Sequence, residues 1–291
     1  MKNALFIFTL WLSLPAAAQY YYEDILGTQA LNQKMQVYQA ARVKSVTATG
    51  YDPEGRKSTD FNEWQEVQNG GRSLRVSTRN GQSIARTYYE FDDHGRVISA
   101  RDSSGDIQTQ TAYQYDAQGN LVNLLTTTRD ALHDFDQTKE RQYRYQDGKP
   151  ATVLVIQNRE DSLEYQFSLD SAANVKDEML YHRGGSKNQV YYSYNEKKVY
   201  YFYDDLHRLT DITRYNAKID RLLPDVMFEY DEQNRVIQRI TVLSTVRYDT
   251  KQPDYLIWRY AYDARGLKTK EVLYNKAREF KGRIDYSYST E

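Results

Sequence analysis

The sequence contains no cysteine and only 5 prolines in 291 residues, and it carries 39 Lys and Arg against 40 Asp and Glu. Without cysteine, neither disulfide bonds nor a lipid-modified cysteine can stabilise or anchor the chain. Its stability must therefore come from burial and backbone pairing, which a chain of this length can supply. The balanced charge lacks the positive excess that nucleic-acid-binding domains show. We therefore expect no nucleic-acid partner.

Sequence signatures of catalysis and cofactor binding are also missing. There is no Gly-x-Ser-x-Gly, no Ser-x-x-Lys and no phosphate-binding glycine loop. In the segment DFDQTKE, Asp134, Asp136 and Glu140 imitate part of a calcium loop, but the turning glycine is absent and a solvated loop is expected. We predict no catalytic, cofactor-binding or metal site, no cofactor and no enzymatic activity. The histidines have no metal-ligand spacing; they are His94, His133, His182 and His207.

The first eighteen residues have the layout of a secretory signal peptide. Lys2 precedes an apolar run from Ala4 to Leu14, and small residues follow at 16–18. The run is too short for a membrane span, and no later segment is apolar enough to form one. We expect cleavage after Ala18, export to the periplasm or the cell exterior, and a mature chain without a transmembrane span.

Tyrosine is strongly enriched, with 28 residues against 9 Phe and 3 Trp. Aromatic residues favour pleated, half-buried surfaces, and tyrosine suits sites where the ring is covered and the hydroxyl is hydrated. The composition therefore indicates a sheet.

A short motif recurs along most of the chain: aromatic, any residue, aromatic, Asp, two residues, Gly or Asn, polar, aliphatic. Clear copies are YEFDDHGRV (89–97), YQYDAQGNL (113–121), YFYDDLHRL (201–209), FEYDEQNRV (228–236) and YAYDARGLK (260–268). Weaker copies are GYDPEGRK (50–57), YRYQDGKP (143–150), YQFSLDSAANV (165–175) and YSYNEKKV (192–199). A loose period of this kind is typical of repeat architectures.

Each copy predicts a β-hairpin. Aromatics two residues apart project from the same face of a strand, Asp accepts backbone hydrogen bonds in a turn, and Gly or Asn tolerates a positive φ. The predicted aromatic residues are Tyr89, Phe91, Tyr113, Tyr115, Tyr201, Tyr203, Phe228, Tyr230, Tyr260 and Tyr262. The predicted turn residues are Asp92, Gly95, Asp116, Gly119, Asp204, Asp231, Asn234, Asp263 and Gly266, and His207 holds the glycine position of one copy.

The same residues admit two functional interpretations. A row of aspartates could bind cations, although local bonding to the backbone already explains each one. The tyrosines could stack on sugar rings or cover an apolar ligand, although cross-strand pairing within the sheet also accounts for them.

We predict a mainly β fold: a single continuous curved antiparallel sheet of repeated hairpins, forming an open half-shell or a small barrel, with one N-terminal helix. The domains are a signal peptide (1–18), an N-terminal segment with the helix (19–45) and the repeat domain (46–291). The helix is predicted over 27–42, capped by Thr28, with Leu31, Met35 and Tyr38 on one side. It would pack on the first hairpins or plug one end of the sheet.

If the Asp turns share one edge of the sheet, the linking segments lie at the other. Links at 101–106 and 158–162 are short, whereas those at 129–140, 216–225 and 244–254 are long, and variable loops commonly carry binding specificity. Two copies lie only nine residues apart, between Tyr194 and Tyr203. Either a short extra strand or a bulge at 195–197 accommodates them.

The motif resembles the YD repeat of the rearrangement-hotspot (Rhs) family and of teneurins, over about residues 88–268 and, with the weak copies, 46–288. The resemblance implies hairpins wound into one spiralling sheet. Large toxin members end in an Asp-Pro-x-Gly-Leu junction before a toxic domain. This chain has Ala264 in place of that proline, so neither a self-cleaving junction nor an enclosed toxin is expected.

The sequence favours an exported, non-enzymatic β-repeat protein with a binding or structural role in the cell envelope. Its partner would be an envelope protein or a glycan, contacted through the long loops or an aromatic face. One alternative is a periplasmic carrier that shelters a lipid or another apolar ligand, because a helix followed by a curved sheet resembles lipoprotein-carrier folds. A second is an enzyme with an unfamiliar site, which would gather titratable groups of perturbed pKa in one cleft.

Overall fold

A computed structural model describes residues 20–104, 106–130, 132–133, 135–184, 198–216, 220–243 and 254–290. The predicted signal peptide lies outside these ranges. Helix α1 spans Tyr21–Ala40 and a single 3-10 turn spans Asn69–Gly71. The strands are β1 Val43–Tyr51, β2 Lys57–Gln68, β3 Ser73–Asn80, β4 Ser83–Phe91, β5 Val97–Ser104, β6 Ile107–Tyr115, β7 Leu121–Asp130, β8 Phe135–Gln146, β9 Lys149–Gln157, β10 Asp161–Leu169, β11 Val175–Gly184, β12 Lys198–Tyr203, β13 Leu209–Asn216, β14 Arg221–Tyr230, β15 Val236–Leu243, β16 Asp254–Tyr262, β17 Lys268–Asn275 and β18 Phe280–Thr290.

The 18 strands of the described ranges form one closed antiparallel barrel. Each strand pairs with the next in the sequence, and β18 returns to β1 through a ladder that includes Val46 opposite Tyr288 and Ala48 opposite Tyr286. Closure removes the exposed sheet edges that an open half-shell would leave. The predicted mainly β fold with one N-terminal helix is confirmed, and of the two predicted shapes the barrel is the one observed.

The helix begins earlier than the sequence predicted. It starts at Tyr21, not at residue 27, and Thr28 is a buried residue within it, so the prediction of Thr28 as the cap is wrong. No N-cap side chain bonds to the first turn; instead the carboxylate of Glu178 on β11 accepts hydrogen bonds from the backbone N–H groups of Tyr21 and Tyr22. A cap supplied by a distant strand leaves no signal in the local sequence.

Helix α1 crosses the mouth of the barrel from one wall to the opposite wall. Near its N-terminus, Tyr21 and Ile25 belong to a hydrophobic cluster with residues of β7–β14. Near its C-terminus, Met35 and Tyr38 belong to a second cluster with residues of β1, β3, β4 and the start of β5. Met35 is fully buried and Leu31 packs against the second cluster, as the predicted stripe requires. The helix therefore plugs one end of the barrel.

The barrel has two rims, because successive strands run in opposite directions. We call the rim that follows the even-numbered strands the turn rim, since it carries the turns at 92–96, 116–120, 170–174, 204–208, 231–235 and 263–267, and α1 lies across it. The other is the link rim. The turn at 52–56 follows β1 and lies on the link rim, so the expectation of all Asp turns at one edge is wrong for Asp52.

Strands extend into segments that the sequence indicated as long links. Strand β8 begins at Phe135 and β14 at Arg221, so the links predicted at 129–140 and 216–225 are shorter than expected. Most of the link at 244–254 and residues 194–197 of the ambiguous region lie outside the described residues. Strand β12 pairs antiparallel with both β11 and β13, so the strand direction keeps alternating there.

Candidate functional site: a cleft at the turn rim

The repeated aspartate organises each turn through its own carboxylate. In the turn at 204–208, Oδ1 of Asp204 accepts hydrogen bonds from the backbone N–H groups of Leu206 and Arg208, both at 3.0 Å, and Oδ2 accepts one from Nε of Arg208 at 2.7 Å. This bond from the Arg208 side chain is the main reason why the pKa of Asp204 lies below its ordinary value. The fourth residue, His207, has a φ of 60° and donates its N–H to the Asp204 carbonyl.

The same hydrogen bonds recur around the turn rim, so the carboxylates are occupied within their own turns. Each Asp in this group accepts N–H groups from residues two and four positions later: Asp92, Asp116, Asp170, Asp231 and Asp263. The positive φ falls on Gly95, Gly119, Ala173, Asn234 and Gly266, respectively. The row of aspartates is therefore better explained as turn formers than as a cation site.

One turn is more regular than its weak motif indicates, and another has no motif that predicts it. The turn Asp170–Asn174 has the full bonding pattern although Ala173 replaces glycine. At the link rim, Asn275 plays the part of Asp, and its Oδ1 accepts the N–H of Glu279. In both cases the available signal was an Asp or Asn five positions before the first residue of the returning strand.

Where the second aromatic residue of a hairpin is a tyrosine, its hydroxyl binds the neighbouring hairpin. The hydroxyl of Tyr115 on β6 donates to the carbonyl of Val97 on β5 at 2.8 Å, just after the preceding turn. Such bonds join strands of consecutive hairpins and contribute about 1 kcal/mol each. Equivalent donor–acceptor pairs are Tyr145–Leu121, Tyr203–Val175, Tyr230–Leu209, Tyr262–Val236 and Tyr288–Lys268.

Arginines in the turns add a second contact between hairpins. The guanidinium of Arg208 lies 4.9 Å from the ring centre of Tyr230 and donates to the carbonyl of Asp231 in the next turn. Arg235 contacts Tyr262 and Asp263 in the same way. We call these tyrosine and arginine contacts the turn-rim ladder. It links the conformation of one turn to that of the next.

The first aromatic of each motif points into the barrel. Tyr89 and Tyr201 are buried, and the hydroxyl of Tyr201 donates to Glu178 beneath the helix. Phe91 is the second aromatic of its motif and is also buried. Because it has no hydroxyl, it does not take part in the turn-rim ladder. The remaining first aromatics are half-buried: Tyr113, Phe228 and Tyr260.

Charged groups fasten the N-terminal half of α1 to the barrel wall. Asp24 accepts hydrogen bonds from the guanidinium of Arg141 at 2.9 and 3.1 Å and from the hydroxyl of Tyr143 at 2.6 Å. Arg141 is only 8% exposed. Burial raises the pKa of Glu178, which caps the helix, from its ordinary 4.5 to about 7. This end of the helix is therefore held by buried, ionisable groups.

Mostly neutral groups fasten the C-terminal half of the helix. The hydroxyl of Tyr38 donates to Gln65 on β2 at 2.9 Å. Oδ1 of Asn32 accepts the backbone N–H of Val97, and Nε2 of Gln39 donates to the carbonyl of Gly71. The C-terminal half of the helix is thus bonded directly to the turn rim, whereas the N-terminal half is bonded to the wall below it.

An open cleft of about 230 Å³ lies between the helix and three consecutive turns of the turn rim. The turns are those at 116–120, 146–150 and 170–174. Of the lining residues in the described part of the chain, Lys149 is the one that carries a full charge. The side chains that give the cleft its character are the amides of Gln29, Asn32, Asn120 and Asn174 and the rings of Tyr115 and Tyr145.

Within the described ranges, no group of three or more His, Asp or Glu residues could hold a metal ion. His94 and His207 lie in separate turns and His133 lies at the link rim, whereas the side chain of His182 and all of Asp134 are outside the described residues. The one described helix is not long and apolar enough to cross a membrane.

Residues 91–132 match the family model of the RHS repeat, which confirms the resemblance predicted from the sequence. These residues run from the second aromatic of one clear motif through the whole of the next. No curated protein matches the chain significantly.

The chain is similar to several solved structures, all at low sequence identity. A porin-like protein from Bacteroides uniformis shares 10% identity with a TM-score of 0.37, over 85% of this chain and 98% of that protein. A porin-like protein from Bacteroides vulgatus shares 11% identity with a TM-score of 0.28, over 86% and 99% of the two chains. In the TcdB2-TccC3-Cdc42 complex, the similarity covers 82% of this chain and 16% of that one, with 14% identity and a TM-score of 0.31.

Proposed function

From the premise that the chain is an RHS/YD-repeat-like barrel protein, we propose that it is an exported, non-enzymatic binding protein of the cell envelope. Its partner binds the turn rim, at the cleft between α1 and the turns. The observation that carries this proposal is an open cleft on a rim whose turns are bonded to one another and to the helix. A rigid site loses little conformational entropy when it binds a partner.

The position of the perturbed acids supports a function without catalysis. Burial raises the pKa of Glu23, Glu178 and Asp225 to about 7 in each case. None of these three carboxyl groups lines the cleft as far as the described residues define it. An enzyme would be expected to gather such groups where a substrate could reach them.

The filled mouth of the barrel argues against the lipid-carrier alternative. A carrier needs an empty apolar interior, but Tyr21 and Tyr22 of the helix pack on the rings of Tyr165 and Tyr201 at centroid distances of 4.6 and 5.1 Å. The space at this end that an acyl chain would need is occupied by the protein's own helix.

Export can be tested by the mass of the protein recovered from the producing cell. The predicted signal peptide implies a mature chain that begins at Gln19. Protein isolated from the periplasm, the cell surface or the medium should therefore have the mass of residues 19–291 by intact-mass spectrometry. A chain that retains Met1 and remains in the cytoplasm would contradict export.

Binding can be tested with envelopes prepared from the producing cell, by measuring the fraction of purified mature protein that sediments with them. Gln29→Trp places a bulky ring over the cleft from an exposed helix position, and we expect it to lower the bound fraction at least fivefold. Gln114→Trp is the matched control, because Gln114 is exposed on the outer wall of β6. Equal sedimentation of both variants and the unsubstituted protein would refute binding at the cleft.

A further inference from the structure

The solvent-facing side of α1 is a stripe of neutral amides. Gln29, Gln33 and Gln36 are exposed and lie at positions i, i+4 and i+7, and half-buried Asn32 and exposed Gln39 lie beside them. The opposite side of the helix carries the residues that pack into the barrel, such as Met35 and Tyr38. We call these five side chains the amide stripe. It runs across the turn rim and borders the cleft at Gln29 and Asn32.

The absence of charge from the amide stripe is unusual for this chain. Charged residues make up 27% of the sequence, and exposed helix positions commonly carry Lys or Glu. Among the described residues, the side chains of Gln29 and Gln33 have no hydrogen-bond partner in the protein, so their amides face solvent. Each amide offers two donors and an acceptor with two lone pairs, without favouring a ligand of either charge.

The walls of the cleft provide aromatic surface that is already fixed in place. Tyr115 and Tyr145 line it, and their hydroxyls are bonded to the carbonyls of Val97 and Leu121. Their rings therefore do not need to be ordered when a ligand arrives. Pro150 adds a further apolar surface. Apolar ring faces beside a few amides match a ligand that has both hydroxyl groups and C–H faces.

We propose that the cleft and the amide stripe together bind a neutral oligosaccharide, an inference that rests on the proposed function and names its partner. Gln29 and Gln36 are about 10 Å apart along the helix, a distance suited to a short glycan rather than a single small molecule. The hydroxyl groups would exchange hydrogen bonds with the amides. The sugar faces would pack on the tyrosine rings, in the case of Tyr115 on the face that the Arg96 guanidinium, 4.8 Å from the ring centre, leaves open. A charged glycan would gain no ion pair along the stripe; of the described residues that line the cleft, Lys149 is the one charged group it would meet.

The first experiment screens the purified protein against an array of immobilised neutral and acidic glycans. We expect neutral glycans to be bound. The double variant Gln29→Ala/Gln33→Ala should lose at least tenfold in affinity for them, because it removes four donors and two carbonyl acceptors. The matched variant Gln108→Ala/Gln114→Ala, on exposed outer positions of β6, should bind as the unsubstituted protein does. Binding of acidic glycans alone, no binding of any neutral glycan, or equal affinity of the two variants would overturn the inference.

The second experiment separates the inference from the proposed function. Envelopes of the producing cell are treated either with periodate, which cleaves the vicinal diols of sugars, or with protease, and sedimentation of the protein is measured with each. Loss of binding after periodate alone supports a glycan. Loss of binding after protease alone overturns the glycan inference. It indicates a protein partner and leaves the proposed binding function in place. Failure to bind untreated envelopes would overturn the proposed function itself.

Discussion

The turn rim and the link rim are built from the same hairpins but are stabilised differently. At the turn rim, the turn of Asp231 is bonded to both neighbouring turns, because Arg208 donates to its carbonyl and Arg235 donates to that of Asp263. At the link rim, the turn of Asp52 has the same internal hydrogen bonds, with Arg56 bonded to its carboxylate. The Arg56 side chain is 73% exposed, however, and bonds within its own turn.

The comparison shows that the turn and the ladder are separate features of the sequence. Asp with a left-handed residue three positions later suffices for the turn at either rim. The ladder also needs a tyrosine at the second aromatic position of the adjacent hairpin, as at Tyr230 and Tyr262. Among the described residues, the turn rim therefore combines regular turns with contacts between them, and it also bonds to the C-terminal half of the helix.

The largest effect is expected where the helix meets the wall below the turn rim. Asp24→Ala leaves Arg141 buried without its carboxylate partner, which costs about 3–5 kcal/mol in comparable buried pairs. Asp136→Ala removes an ion pair of Arg129 at the link rim, where both side chains are more than half exposed, and should cost less than about 1 kcal/mol. Denaturant unfolding measures both changes. Similar losses in the two variants would show that the helix is not held more tightly than a link-rim hairpin.

The second prediction concerns pH. Burial raises the pKa of Glu178 to about 7, so the folded state binds this proton more tightly than the unfolded state does. The stability it contributes is complete below about pH 4.5 and is lost as pH rises through about 7, a loss of roughly 1–3 kcal/mol. Glu178→Gln should reduce this decline, measured as the free energy of unfolding between pH 5 and pH 8.5.

Glu23 and Asp225 also have raised pKa values, so Glu178→Gln should leave part of the pH dependence in place. The link-rim control is Asp130→Asn. A hydrogen bond from His133 is the main cause of a lowered pKa at Asp130, so this group contributes its stability above pH 4 and does not add to the decline. An unchanged slope in Glu178→Gln, or an equal reduction in Asp130→Asn, would contradict the assignment.

A smaller difference is expected between equivalent turns at the two rims. Asp231→Ala removes acceptors for Gln233 and Arg235 and releases the guanidinium that contacts the next turn. We expect a loss of about 2 kcal/mol, and a smaller loss for Asp52→Ala, whose turn lies outside the ladder. Equal losses, measured by denaturant unfolding, would mean that the contacts between turns add no stability.

The sequence predicts the hairpins well because their determinants are local. The spacing from Tyr113 and Tyr115 to Asp116 and Gly119 specifies a strand face and a turn within seven residues. Closure of the barrel could not be predicted in the same way. It depends on the pairing of β1 with β18, two segments separated by more than two hundred residues that carry no mutual signal in a single sequence.

The site was harder to predict than the fold, because it forms between distant segments. The cleft joins Gln29 of the helix to Asn120, Lys149 and Asn174 of three hairpins, and only the closed barrel places them together. The start of the helix was missed for the same reason, since its cap is Glu178. The amide stripe, by contrast, is visible in the sequence once the buried side of the helix is known.

The smallest expected effect concerns backbone strain in the turns. It asks whether that strain is confined to the turn that carries it, at both rims. His207 occupies the left-handed position with a φ of 60°, where most hairpins have Gly or Asn, and a residue with Cβ pays a penalty there. His207→Gly also loses a 3.2 Å contact with Asn174, so we expect a net gain of about 0.5 kcal/mol. Gly55 has a φ of 80° at the link rim with open space around it, and Gly55→His should lose a similar amount of stability by the same mechanism.

Thermal unfolding measures both changes. Because neither substitution touches the ladder, stability changes of opposite sign and similar size would place the strain in the turn itself. A loss of stability in His207→Gly would instead show that the contact with Asn174 outweighs the strain, and that neighbouring turns of the turn rim are coupled even through this residue.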